Sequence, residues 1–95
     1  MYTITYHSSI KKDFRKAGKD FGAYVLSTVA VSLREDPTIG NKMRGFTENM
    51  WRYRFHFRGV SYRICYIVKN KQLQILVVAI GKRADIYKTL SQRMK

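Results

Sequence analysis

Between residues 51 and 58 the chain alternates aromatic and cationic side chains without interruption: Trp51, Tyr53, Phe55 and Phe57 against Arg52, Arg54, His56 and Arg58. Successive side chains on a strand point to opposite faces, so this period of two predicts a β-strand with one core face and one cationic face. Arg58-Gly59-Val60-Ser61 suits a hairpin turn into a second strand over 62–68, and Lys69-Asn70-Lys71 a turn into a third over 72–80. The third strand is apolar on both faces after Gln74, which predicts a central position, with Gly81 closing it. These strands make a three-strand antiparallel meander, and whatever precedes and follows must pack against it.

Upstream, Tyr2, Ile4 and Tyr6 alternate with Thr3, Thr5 and His7, the pattern of a half-buried first strand in which His7 ends the element. Ser8 or Ser9 can cap a helix whose apolar positions are Ile10, Phe14, Ala17 and Phe21, with Gly18 weakening its end. A second helical period follows in Leu26, Val29, Ala30 and Leu33. Val25, Val29 and Val31 would tolerate a strand, but the stretch runs on without turn signals, which favours a helix and hence a helical hairpin. Pro37, in the stretch from Glu35 to Asn41, separates the hairpin from the meander. Residues 84–92 read as a short terminal helix with Ile86 and Leu90 on one face and Arg83 and Tyr87, four apart, on another. The fold class is therefore α+β: N-terminal strand, helical hairpin, three-strand meander and short C-terminal helix. At 95 residues the chain has room for one domain, 1–95.

Charge is the other constraint. Lys and Arg number 19 against six acids (Asp13, Asp20, Glu35, Asp36, Glu48 and Asp85), for a formal net charge of +13. Such an excess repels itself and points to a polyanionic partner: nucleic acid, a ribosome, an anionic membrane or an acidic protein. The apolar run 75–80 is far shorter than the roughly 20 residues that span a bilayer, which argues against a membrane protein. The one cysteine, Cys65, cannot form an internal disulfide, and no secretory leader pattern opens the chain, so a cytoplasmic location is expected. The scattered carboxylates, with His7 and His56 far apart, offer no metal-ligand spacing, so no metal or other cofactor is expected.

Four segments then stand together: Lys42-Met43-Arg44-Gly45; Met50-Trp51-Arg52-Tyr53-Arg54; Ser61-Tyr62-Arg63-Ile64-Cys65-Tyr66; and Ile80-Gly81-Lys82-Arg83-Ala84-Asp85-Ile86-Tyr87-Lys88. In residue type, order and separation they resemble the RelE branch of the RelE/ParE toxin superfamily over nearly the whole chain. The resemblance implies the RelE-like microbial RNase fold and the toxin of a type II toxin-antitoxin system. It implies a ribosome-dependent, metal-independent endoribonuclease, an mRNA interferase that cleaves mRNA in the A site by 2′-hydroxyl attack on the 3′ phosphate and so inhibits translation. It also implies a cognate antitoxin, which on charge grounds should carry an acidic amphipathic segment that lies over the basic groove or displaces the terminal helix.

The chemistry of the residues fits such a reaction. In-line transfer at a phosphate needs cations where charge develops and groups that take and give a proton. Arg52, Arg63 and Arg83 can form a pocket for the scissile phosphate, because a guanidinium fork grips phosphate oxygens bidentately. Tyr87, catalytic by resemblance, offers a ring for base stacking and a hydroxyl for a sugar or phosphate. At Arg54 better-known members carry a lysine proposed as general base. A guanidinium, with a pKa above about 12, is a poor base. His56, on the same strand face, is a substitute, since an imidazole titrates at roughly 6.5, and Glu48 is a second. Arg44 can contact flanking RNA. So can Lys82, where many sequences of the branch carry histidine.

Lys11, Lys12, Arg15, Lys16 and Lys19 form either a solvated helix face or an RNA-docking surface. Trp51, Tyr53, Phe55, Tyr62 and Tyr66 read chiefly as core, Cys65 as a small buried apolar group, and Arg58 as a turn residue. Two other readings share the fold or the charge: a ParE-like inhibitor of DNA gyrase, and a non-catalytic RNA- or ribosome-binding protein. Retaining Arg52, Arg63, Arg83 and Tyr87 together argues against the first.

Overall fold

The computed structural model describes residues 1–82 and 85–94, so the expectations for Arg83 and Ala84 lie outside the described residues. The alternating segment forms β3, Met50–Phe57, hydrogen-bonded antiparallel to β4, Val60–Lys69. Arg58 and Gly59 form the whole turn between them, both at positive φ (51° and 77°), with Phe57 opposite Val60. This is the two-residue geometry whose twist matches that of paired strands. Arg58 is thus a turn residue, and β4 begins two residues earlier than expected. A 3-10 turn at Asn70–Gln72 leads into β5, Gln74–Lys82, so Gly81 lies inside the strand instead of ending it.

The first strand, β1 (Thr3–Tyr6), pairs parallel to β5, and a short strand β2 (Asn41–Lys42), not anticipated from sequence, pairs with Trp51 and Arg52. The sheet order β1-β5-β4-β3-β2 makes β5 an interior strand, between β1 and the middle strand β4, as its two apolar faces require. A β-bulge interrupts β5: Cys65 faces Ala79 but Tyr66 faces Val77, leaving Val78 as the extra residue.

The helical region buries Val29, Ala30 and Leu33 as expected and departs from the expected hairpin at Ala17, Phe21 and Leu26. Helix α1 spans Ile10–Ala17; neither Ser9 nor Ser8 caps it through its side chain, and His7 instead accepts the Ser9 N–H at Nδ1 (3.1 Å). Gly18, at φ 101°, breaks the chain there, so Phe21 belongs to the next helix and Ala17 is exposed. That helix runs as α2 (Lys19–Tyr24), a π-helical turn (Val25–Val29) and α3 (Ala30–Glu35). Its buried stripe includes Phe21, Val25, Val29 and Leu33, while Leu26 is 52% exposed. A strict spacing of four drifts around a helix of roughly 3.6 residues per turn, and the wider π turn restores the alignment.

Asp36 then caps the 3-10 turn Pro37–Ile39, accepting from the Thr38 amide and hydroxyl. At Gly40 a Cβ would sit 2.4 Å from the Arg52 carbonyl oxygen and 2.8 Å from the Tyr66 hydroxyl, so only glycine lets this segment lie against β3. The buried Tyr66 hydroxyl donates to the Pro37 carbonyl (2.7 Å), and burial raises its pKa above the ordinary phenol value.

The sheet divides two cores. On the first face α1 to α3 pack against Phe55, Tyr62, Ile64, Tyr66, Ile75 and Val77. Phe21 sits in an aromatic cluster there, 4.5 Å from the Tyr62 ring centroid, 5.6 Å from Phe57 and 5.9 Å from Phe55. On the second face α4 (Asp85–Arg93) seats Ile86 and Leu90 against Met50, Cys65, Ile67, Val78 and Ala79. The second face is therefore apolar where α4 covers it and cationic only beyond, a division the alternation alone does not reveal. Among the described residues no helix is long and apolar enough to cross a membrane.

Candidate functional site

The cationic end of the second face is built from two strands and one helix. Arg52 and Arg54 project from β3; Arg63 projects from β4 directly opposite Arg54. Like charges on directly opposed residues repel, and among the described residues the only ion pairs are Arg58–Asp20 and Arg93–Asp13, neither of which neutralises this group. Tyr87 of α4 stands over it: Arg52 Nη1 donates to the Tyr87 hydroxyl (2.5 Å), and the guanidinium carbons of Arg52 and Arg63 lie 5.9 and 5.8 Å from the tyrosine ring centroid. Among the described residues the buried Arg63 Nε has no hydrogen-bond partner, an arrangement that costs free energy unless an acceptor arrives. Gly81 lies opposite Arg63 on β5, and among the described residues, its chain neighbours aside, no atom lies within 4 Å of the place its Cβ would occupy, which leaves a slot beside the guanidinium.

The bulge at Val78 creates that slot. Counting in strict alternation from the inward-facing Ile75, Lys82 would share the face of Arg63 and Gly81 would not. The extra residue reverses the phase, so Lys82 instead sits opposite Tyr62 and lines a cleft of about 400 Å³ with Lys16, Phe21 and Tyr62. Lys82 is therefore not brought together with the arginines.

His56 is exposed and opposite Ser61, roughly 7 Å along β3 beyond Arg54 at about 3.3 Å per residue, toward the hairpin tip. Arg44 and Glu48 lie exposed at the other end of β3, in the loop that precedes it. Met43 and Phe46 of that loop pack on the second core, the Met43 N–H bonds the Met50 carbonyl (2.9 Å), and the Glu48 carboxylate accepts from Thr47 (2.9 Å). Lys11, Lys12 and Arg15 are exposed on α1, in the layer on the opposite side of the sheet. Among the described residues no three His, Cys, Asp or Glu side chains form a metal-binding group.

Cys65 lies beneath the arginines, fully buried. Burial pushes its thiol from an ordinary 9.0 up to about 12, outweighing the opposing pull of Arg52 and Arg63. The folded chain thus holds the thiol proton more tightly than the unfolded chain, so this group's contribution to stability is complete below about pH 9 and is lost as pH rises toward 12. Iodoacetamide at pH 8 is expected to leave the folded chain unmodified and to alkylate it once in denaturant; intact-mass spectrometry reads both, and rapid labelling of the folded chain would contradict this burial.

Sequence reasoning passed over Asp13 and Arg93, which form a partly buried bidentate ion pair between α1 and α4. A signal was present, since Asp13 is the one acid on a cationic helix, three residues after the buried Ile10.

A family model described as the ParE-like toxin of type II bacterial toxin-antitoxin systems matches residues 4–91. The chain is similar to a RelE-like toxin protein of Escherichia coli, at 27% identity over 99% of this chain and 98% of the relative. Among solved structures it is similar to a double arginine-to-alanine variant of E. coli toxin RelE in the free state, at 25% identity and a TM-score of 0.73 over 99% of this chain and 98% of that one. It is similar also to a chain of the intact E. coli RelBE toxin-antitoxin complex, at 28% identity and a TM-score of 0.66 over 86% of this chain and 96% of that one.

Proposed function

Because this chain belongs to the ParE-like toxins of type II bacterial toxin-antitoxin systems, and is RelE-like in sequence and fold, we propose that it is a ribosome-dependent, metal-independent endoribonuclease that cuts mRNA in the A site. The observation that carries this reading is the group of Arg52, Arg54 and Arg63 gathered beside Tyr87 with no carboxylate partner among the described residues. A group so arranged is suited to a phosphate that gains charge, since its donors are fixed before the charge develops.

In the proposed reaction a ribose 2′-hydroxyl attacks the adjacent phosphorus, the bond to the 5′ oxygen breaks, and a 2′,3′-cyclic phosphate and a 5′-hydroxyl result. Arg52, Arg54 and Arg63, with Arg83, hold the non-bridging oxygens. Tyr87, whose oxygen already accepts from Arg52, has its own proton to donate toward the leaving 5′ oxygen. The 2′-hydroxyl proton passes to His56 or Glu48, which flank the arginines at opposite ends of β3. Arg44 and Lys82 meet the flanking message, while Lys11, Lys12 and Arg15 dock on ribosomal RNA. The RelBE complex pairs RelE with its antitoxin RelB. By analogy an antitoxin with an acidic amphipathic segment neutralises this chain, in the cytoplasm, with residues 1–95 acting as one toxin domain.

Primer extension on a message held in programmed ribosomes tests this reading. Cuts in the A-site codon with the wild-type chain, absent from naked RNA, are expected; His56→Ala and Glu48→Ala then identify the base by which of them abolishes the cuts. A folded chain that binds ribosomes without cutting would overturn the nuclease reading. Inhibition of gyrase supercoiling by such a chain would put the ParE-like target in its place.

A further inference from the structure

Helix α4 carries Tyr87 near its start and Arg93 at its end. On the same helix Ile86 and Leu90 are buried in the second core, but apolar burial is non-directional and by itself does little to fix the rotation or axial position of a short helix. Direction comes from Arg93. Its two terminal nitrogens grip the two oxygens of Asp13 (2.8 and 2.9 Å), and Nη1 also donates to the Val78 carbonyl (2.8 Å). Asp13 further accepts the Ile80 N–H (3.2 Å), and both side chains are only 12% exposed.

The Val78 carbonyl and the Ile80 amide are edge groups of β5. Strand β1 ends at Tyr6 opposite Val77, its last link being the His7 N–H to the Val77 carbonyl (2.8 Å), and the bulge turns the next groups of β5 outward. The ion pair completes the ladder where β1 has stopped, and in doing so joins α1, β5 and α4 at one point. An ion pair largely withdrawn from water is weak evidence of net stability, because desolvation offsets its attraction, whereas its bidentate geometry constrains how the two elements it joins are oriented.

We infer that Asp13 and Arg93 are positioning residues for Tyr87: their pairing fixes the rotation and axial register of α4, and so the place of the Tyr87 hydroxyl beside Arg52 and Arg63. This rests on the nuclease reading for its effect on rate, though not for its effect on α4. The six residue-to-residue steps from Tyr87 to Arg93 span about 9 Å of helix, and a rigid helix of that length carries a change at one end to the other.

Asp13→Asn and Arg93→Lys, each alone and combined with Tyr87→Phe, test the inference; the second keeps the charge and loses the fork, which guards against a variant that fails to fold. Single-turnover cleavage at saturating ribosomes is expected to fall about tenfold or more with ribosome affinity unchanged, since small misplacements at a reacting centre are costly. In the Tyr87→Phe background the same changes are expected to cost under about threefold, because residues acting as a unit are non-additive. Equal losses in both backgrounds would overturn the positioning role. Hydrogen exchange is expected to quicken across α4 and to stay unchanged in β4, and the ring resonance of Tyr87, assigned by its absence in Tyr87→Phe, is expected to shift. Those two measurements need no cleavage: an inactive wild type would sink the nuclease reading alone, whereas unchanged α4 exchange or an unmoved Tyr87 resonance would sink the positioning role itself.

Discussion

Arg63→Ala is expected to lower single-turnover cleavage on programmed ribosomes about 100- to 1,000-fold while leaving the chain as stable as the wild type or more so. Removing one fixed donor from a site where charge develops typically costs about 2.7–4 kcal/mol of transition-state stabilisation, and Arg63 combines three features that place it in that class. It faces Arg54 across the ladder, it lies against Tyr87, and its buried Nε has no acceptor among the described residues. The first and third are costs to the folded state, so their removal relieves repulsion and an unpaired donor together. The opposite signs are the signature: activity falls as the thermal midpoint holds or rises. Arg63→Lys should recover little, because an ammonium lacks the planar fork. An Arg63→Ala chain that cuts within threefold of wild type would make the arginine group a docking surface.

Phe21→Ala is expected to have the largest effect on stability, about 3–5 kcal/mol, read as a drop in the urea midpoint at unchanged slope. Phe21 is buried, and its ring meets Phe55, Phe57 and Tyr62, so truncation both loses burial and opens a cavity between α2 and the sheet. A domain of this size has on the order of 5–14 kcal/mol in total, so the variant should sit near the threshold of folding. Leu26→Ala, five residues on, should change stability by under about 0.5 kcal/mol, as expected for an exposed position. A large loss at Leu26 and a small one at Phe21 would mean that the helix is in the other phase.

That contrast marks where the sequence was legible and where it was not. The alternation of β3, the Arg58-Gly59 turn, the Pro37 break, the interior place of β5 and the inward face of Ile86 and Leu90 are local signals, each carried by a few adjacent residues. The helical phase was legible at Val29, Ala30 and Leu33, which are buried, but not at Leu26, because a period-3.6 count assumes an unbroken α-helix and the chain instead breaks at Gly18 and widens at Val25–Val29. β2 is too short to leave a pattern, and its partner residues are known only once β3 is in place.

At the candidate site, residue type and the family resemblance singled out Arg52, Arg54, Arg63 and Tyr87, and the structure sets Arg52 and Arg63 against Tyr87 with Arg54 opposite Arg63. Lys82 was displaced by a single bulged residue, which no alternation count detects. Asp13 and Arg93 meet across 80 positions of sequence, and such pairings become visible only when the sheet and both helices are assembled.

The juxtaposition of Arg54 and Arg63 also bears on how long a molecule of this chain survives. An anion that bridges the two guanidiniums binds the native chain and not the unfolded one, and at a hundredfold excess over its dissociation constant such a ligand adds about 2.7 kcal/mol to stability. Resistance to proteases that act on unfolded molecules rises with it. Occupancy and longevity are therefore coupled: an anion that covers both guanidiniums is expected to lengthen the survival of this chain under limited proteolysis relative to the bare form.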